Sequence, residues 1–243
     1  MVGTYELSIE VLSVLLALGV VVISTRQGFF NRYLFLNVYL LTNVGFTLGC
    51  YYVRSLYGYR SVEYFDFYYT GDAIPNIVGY LVIGSFFDRL LRHSTFHRYV
   101  RPTLTIFFVL IAGISAFFIA GSVDRLYPRF VIELQQNLYF VGVLLTFLLW
   151  MSVSYLDVRN RRFTLLVSGL GIYFAAHAAN YAIRFLFPSL SALTLIVPPL
   201  AYNFMVGLWL YTFLRVPEEE VAVQPARQVF QQLAPVGAHS WRK

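Results

Sequence analysis

Seven apolar stretches, each about long enough to cross a bilayer as an α-helix, divide this chain of 243 residues. About 20 apolar residues in a helix span the hydrocarbon core, and a helix satisfies all its backbone groups internally. The predicted spans are 5–24, 33–53, 64–90, 103–121, 138–156, 163–186 and 189–214. The sequence therefore predicts an all-α integral membrane bundle of seven transmembrane helices.

The composition agrees with this class of protein. The chain is 58% hydrophobic and only 12% charged, with a mean hydropathy of +0.65, whereas a soluble domain carries about 25% charged residues. The net charge of +6 comes from basic residues in short loops, where they orient the chain in the bilayer. We therefore expect the lipid bilayer as a partner and no nucleic acid.

The distribution of basic residues predicts the orientation. Thirteen Arg and Lys residues lie in the first, third and fifth loops and the tail, and five lie on the other side. Because cytoplasmic loops carry the excess of basic residues, we expect the N-terminus outside and the C-terminus in the cytoplasm. The chain then has a transmembrane domain, 1–214, and a short cytoplasmic tail, 215–243, whose apolar stripe around Phe230 predicts a short helix for the membrane surface or a partner protein.

The sixth predicted span carries two opposite stripes. His177, Asn180, Tyr181 and Arg184 recur at i, i+3, i+4 and i+7 and share one helix face. The opposite face is rich in small residues, which let membrane helices approach closely. We therefore expect this span to be buried on both sides. The small residues are Ser168, Gly171, Ala175, Ala178, Ala179 and Ala182.

Polar side chains of several spans fall in the predicted outer half of the bundle, where a charge is costly unless it faces the interior. They predict an outward-facing polar cavity lined by spans one, two, three, six and seven. The alternatives are that these groups bond one another and only fix helix register, or that they relay protons. The candidate ligand-binding residues are Glu10, Tyr68, Asp72, Asn76, His177, Asn180, Tyr181, Arg184 and Asn203.

Two further expectations concern this region. Pro75 and the pair Pro198–Pro199 remove backbone donors, so spans three and seven are predicted to break there, with Asn203 helping to satisfy the freed carbonyls. Asp72 and Arg184 are predicted to meet, with His177 as a second partner for Asp72.

Several chemistries are excluded or disfavoured. Lys243 is the only lysine, so no retinal Schiff base forms in the seventh span. His177 is the only histidine at membrane depth, which disfavours bis-histidine haem, and the lone Cys50 excludes a disulfide or a multi-cysteine metal site. We predict no enzymatic activity, no catalytic residue, no cofactor and no metal site.

The aromatic third span, YFDFYYTGDAIPNIVGYLVIGSFFDRLLR, with the basic stretch after it, resembles a bacterial family of seven-span membrane proteins of about this length. The similarity is clearest over 64–101. The family has no assigned activity, so the resemblance implies the topology and a bacterial inner-membrane (cytoplasmic-membrane) location and nothing catalytic.

The leading functional hypothesis is a ligand-sensing or ligand-binding module that signals to a partner protein through its cytoplasmic loops and tail, with the identity of the small ligand open. One alternative is a small solute transporter, favoured by the faint parallel between Pro75–Asn76 and Pro199…Asn203. Another is a structural subunit of a larger membrane complex, favoured by the 19% aromatic content.

Overall fold

The computed structural model describes residues 2–59, 61–92, 97–119, 126–155, 160–187 and 191–218. Within these residues the chain forms seven α-helices and no strand. The tail stripe around Phe230 lies outside them. The helices are α1 Val2–Arg26, α2 Leu34–Tyr57, α3 Val62–Leu90, α4 His97–Ile119, α5 Leu126–Tyr155, α6 Arg161–Leu186 and α7 Ser191–Arg215.

Local sequence signals set several helix ends. The Ser61 hydroxyl accepts a hydrogen bond from the Tyr64 N–H at 3.0 Å and caps α3, and the Asn160 side chain caps α6 through the Phe163 N–H at 2.8 Å. Gly28 and Gly58, which follow α1 and α2, have φ of +74° and +85°, a backbone region that glycine adopts without strain.

Five of the helices contain segments that are long and apolar enough to cross a membrane, as in an integral membrane protein. The remaining two, α3 and α4, are not among them over the residues described. The all-helical class is therefore confirmed, with five helices that are candidates for crossing a membrane. The five segments are Leu7–Arg26, Leu34–Tyr57, Glu133–Tyr155, Arg161–Arg184 and Ile196–Arg215.

The structure contradicts the predicted helix breaks in spans three and seven and the predicted start of span five. Both α3 and α7 continue through their prolines, Pro75 and Pro198–Pro199, because a proline removes one backbone hydrogen bond while the turns on either side keep theirs. Helix α5 begins at Leu126, twelve residues before the predicted start at 138. Charged and amide side chains in those turns lower the hydropathy without interrupting the helix.

Six helices pack in a closed ring. Along the ring, α1 contacts α2, α2 contacts α3, α3 contacts α5, α5 contacts α6, α6 contacts α7, and α7 returns to α1. Helix α4 packs outside the ring against α3 and α5. Large aromatic side chains such as Tyr39, Phe163, Phe174 and Trp209 are fully buried and fill much of the middle of the ring.

The expectation that the small-residue face of α6 is buried along its whole length is wrong. Ala175 and Ala179 are exposed, and together with Phe140 and Phe147 of α5 they line a shallow apolar groove. Ala178 of the small face is nevertheless buried. Close helix approach occurs elsewhere, at glycines that face aromatic rings, such as Gly49 of α2 against Phe67 of α3.

We expect the Gly142→Ala variant to be destabilised by about 1–3 kcal/mol, because a Cβ atom at Gly142 would overlap the ring of the buried Phe174. Thermal unfolding in mild detergent measures the loss. The matched control is Gly45→Ala on α2, where a Cβ meets nothing within 4 Å. That variant should keep or slightly raise the wild-type stability. Equal losses in the two variants would contradict this packing.

Candidate functional site

His177 lies inside the ring and contacts two tyrosines. Its imidazole stacks on the ring of Tyr139 from α5, with centroids 4.4 Å apart and planes 14° apart. The Tyr173 ring, one turn earlier on α6, is also 4.4 Å away. The neighbouring Tyr181 ring lies 5.7 Å from that of Tyr139. The polar stripe predicted for the sixth span therefore faces aromatic side chains, and α5 forms part of its surroundings.

The tyrosine hydroxyls in this cluster meet one another and an amide. The Tyr139 and Tyr173 oxygens are 3.4 Å apart, and Tyr181 donates to the Gln135 side-chain oxygen at 3.5 Å. Tyr173 also makes edge contacts with Tyr39 of α2 and Tyr202 of α7. We call Tyr39, Tyr139, Tyr173, His177, Tyr181 and Tyr202 the tyrosine cluster.

Asp72 of α3 is a partly buried carboxylate residue. The Asn76 amide, one turn further along α3, acts on the carboxylate, although its nitrogen makes no hydrogen bond of good geometry with a described residue. Asp72 forms no ion pair within the described part of the chain, so its charge has no cationic partner there.

The other predicted site residues are not gathered around Asp72. Glu10 pairs with Arg54 of α2 at 3.4 Å, and Tyr68 packs its ring against Phe46. Arg184 is exposed on the last turn of α6, and no ion pair or hydrogen bond joins Asp72 to either Arg184 or His177. The predicted meeting of Asp72 and Arg184 is wrong because Arg184 extends outward beyond the interior.

The three asparagines of the predicted site leave buried polar atoms without partners among the described residues. These atoms are the amide nitrogen of Asn76, the amide oxygen of Asn180, and both amide atoms of Asn203. The expected role of Asn203 in satisfying carbonyls after the prolines is therefore not seen. A buried polar atom without a hydrogen bond costs about 1–3 kcal/mol, so these atoms mark places where a water or a ligand would be stabilised.

Sequence reasoning missed four tyrosines and one glutamine of this region. Tyr173, His177 and Tyr181 are spaced i, i+4 and i+8, so extending the polar stripe by one turn would have included Tyr173. Gln135 and Tyr139 are four residues apart on α5. Gln135 was lost because the predicted span began after it. No comparable signal in the sequence singles out Tyr39 and Tyr202.

A second cluster lies at the end of the bundle where α1, α3 and α7 end and α2, α4 and α6 begin, which we call the basic end. Glu218, three residues beyond α7, has a side chain only 9% exposed. Its carboxylate accepts from Arg162 at 2.9 Å, from Arg32 at 3.0 Å and from the Tyr33 hydroxyl at 2.9 Å. Arg162 also donates from its Nε to the Val216 carbonyl at 2.9 Å.

Aromatic rings and burial complete this cluster. Arg89 lies 4.2 Å above the Tyr33 ring and Arg162 lies 4.9 Å from the Phe29 ring, both within cation–π range. Burial raises the pKa of Tyr33 to about 12, with Arg89 partly opposing and Glu218 adding to the rise. The phenol therefore stays protonated near neutral pH and remains a donor to Glu218. The start of the predicted tail is thus fixed to the bundle.

The fold and the two clusters define a helical bundle of membrane type with an aromatic, polar interior. We found no match to this chain among protein-family models, curated proteins or solved structures.

We expect Glu218→Gln to lower stability by about 3 kcal/mol, because Arg162, with a side chain only 4% exposed, would lose its anionic partner. Glu10→Gln is the matched control, since it removes one carboxylate from a pair whose side chains are 38% and 25% exposed. Such exposed pairs contribute about 0–1 kcal/mol. Thermal unfolding of both variants in the same detergent compares them. A loss for Glu218→Gln no larger than for Glu10→Gln would show that the basic end does not depend on this carboxylate.

Proposed function

We propose that this chain is a seven-span membrane protein that binds a small, positively charged ligand between Asp72 and the tyrosine cluster. One observation supports the proposal above all. The Asp72 carboxylate is half-buried on α3, one turn before the buried Asn76, and it forms no ion pair with a described residue. A charge at such depth is stabilised by a partner or by a bound counter-ion.

The surrounding groups suit a small organic cation. The faces of tyrosine rings attract a cation, more strongly where water is scarce. The unpaired amide atoms of Asn76, Asn180 and Asn203 offer both donors and acceptors for the rest of such a molecule. Arg184, the nearest basic residue along the α6 stripe, is exposed and unpaired with Asp72. It therefore leaves the carboxylate available.

Binding is favoured over transport by the course of the helices. Transporters of several folds build their sites from discontinuous helices that rock or gate, whereas α3 and α7 run unbroken through their prolines. The role of a structural subunit in a larger complex has no comparable support, because the exposed large apolar side chains of the helices suit lipid contact equally well. We therefore propose a binding module that passes its signal to a partner protein.

The proposed orientation places the N-terminus outside, the basic end in the cytoplasm and the tyrosine cluster toward the outer side. It is supported by the excess of basic residues in the loops at the basic end and the tail. The resemblance over 64–101 supports a bacterial inner membrane as the location.

We expect at least one of three probes, ammonium, methylammonium and tetramethylammonium chloride, to raise the unfolding temperature of the detergent-purified protein above that in sodium chloride of equal ionic strength. A ligand that binds the folded state at about 100 times its Kd adds about 2.7 kcal/mol of stability. Asp72→Asn should abolish the shift. The matched control is Asp66→Asn, which neutralises an exposed carboxylate on the same helix and should preserve it. A shift retained in Asp72→Asn, or absent for all three cations, would refute the proposed site.

The orientation is tested by truncated fusions to a reporter that is active only in the cytoplasm. A fusion after Lys243 should be active. A fusion after Tyr59, which is exposed between α2 and α3, should be inactive because the chain has crossed the membrane twice. The reverse pattern would place the basic end outside and would remove the argument for an outward-facing site.

A further inference from the structure

A cavity of about 1330 Å³ opens on the side of the bundle between α2, α3 and α4. It begins at the basic end and runs along the helices, and we call it the lateral groove. Its walls along the helices are apolar. Those walls are formed by Leu34, Phe35, Ile77, Leu81, Leu104 and Phe108.

The mouth of the lateral groove at the basic end is polar and positively charged. Arg32, Arg89 and Arg92 line it, together with Asn31 and Asp88. Counting Arg162 and Glu218 just behind them, four guanidinium groups face two carboxylates among the described residues. Arg92 is exposed and forms no ion pair with any described residue. The mouth therefore has a net positive charge.

The shape of the groove is built into the packing of α4. Tyr80 of α3 donates to the Leu104 carbonyl at 3.0 Å, and its ring lies 5.7 Å from that of Phe108. These contacts hold α4 against α3. No comparable contact joins α4 to α2 in the described residues, so the space between those two helices stays open. Arg89 is oriented at the mouth by the Tyr33 ring, 4.2 Å away.

We propose that the lateral groove binds an anionic phospholipid. The phosphate lies between Arg32 and Arg92, and the acyl chains lie along Ile77, Leu81 and Phe108. A soluble anion would use the arginines but not the apolar walls, and a neutral lipid would use the walls without the charge. A basic mouth joined to an apolar cleft between membrane helices has the chemistry that recognises an anionic headgroup together with its chains. The site lies beyond the proposed ligand site, and only its assignment to the cytoplasmic leaflet rests on the proposed orientation.

The test uses the full chain in nanodiscs and in detergent with added lipid, with phosphatidylglycerol and phosphatidylcholine of identical acyl chains as probes. Native mass spectrometry counts retained lipid, and a detergent titration gives the Kd. We expect phosphatidylglycerol to be retained in preference to phosphatidylcholine. Arg92→Gln should weaken its binding about fivefold, and the Arg32→Gln/Arg92→Gln double variant more than about tenfold.

Matched variants separate the groove from general surface charge. Arg26→Gln/Arg215→Gln removes two exposed arginines at the same end on α1 and α7, outside the groove lining, and should bind like wild type. Leu81→Trp fills the apolar wall and should weaken phosphatidylglycerol binding while all charges remain.

Three outcomes would overturn the proposal. Equal retention of the two lipids would mean that the headgroup charge is not recognised. If inorganic phosphate alone protected the protein as well as phosphatidylglycerol does, the mouth would be a simple anion site. Wild-type binding in both Leu81→Trp and the Arg32→Gln/Arg92→Gln variant would show that the lipid binds outside this groove. The groove would then be open to another occupant, such as the chain's own segment 219–243.

Discussion

Closure of the six-helix ring by α7 is the constraint on which the rest of the structure depends. Two buried hydrogen bonds hold α7 against α6. The Trp209 indole donates to the Leu166 carbonyl of α6 at 3.0 Å, and Arg162 of α6 donates to the Val216 carbonyl just beyond α7. Each bond satisfies a polar group that would otherwise be stranded in apolar surroundings. Because Trp209 also contacts Tyr39 of α2 edge to face, the same side chain joins three helices and packs against one member of the tyrosine cluster.

The two ends of the bundle differ in how their charged side chains are paired. At the basic end, Arg162 and Glu218 are paired with each other and with carbonyl, hydroxyl and aromatic groups, which makes that end a fixed anchor for α7. Toward the other end, Asp72 has no cation and three asparagines have unpaired atoms among the described residues. A polar network that only fixed helix register would gain its stability from mutual bonds, and partly satisfied networks are costly. The proposed ligand site therefore depends on these unpaired groups.

The order of the helices and the inward face of α6 follow from the sequence, because apolar length and a 3.6-residue period are local properties. His177 is found this way. The contact of His177 with both Tyr139 and Tyr173 is not, since an aromatic side chain suits lipid, interface and interior equally, and only helix packing decides among them. The predicted fifth span excluded Gln135 because the hydropathy falls at the polar residues before position 138. The helix itself continues through them. Glu218 escaped notice because its three arginine neighbours, Arg32, Arg89 and Arg162, are distant in sequence.

Helix α3 links the two proposed sites physically. Its interior face carries Asp72, Asn76 and the buried Ile83, while Ile77, Leu81 and Gly84 on the adjoining face line the lateral groove. The two faces are separated by about 130° of helix rotation, so a small turn of α3 about its axis moves groups at both sites at once. Gly79, whose Cβ position lies 3.3 Å from the Tyr39 ring, keeps α3 close to α2 at that level without a side chain to obstruct such a turn. If a cation at Asp72 and a lipid in the groove prefer different positions of α3, each must change the affinity for the other by the same factor, since linkage between two bound ligands is reciprocal.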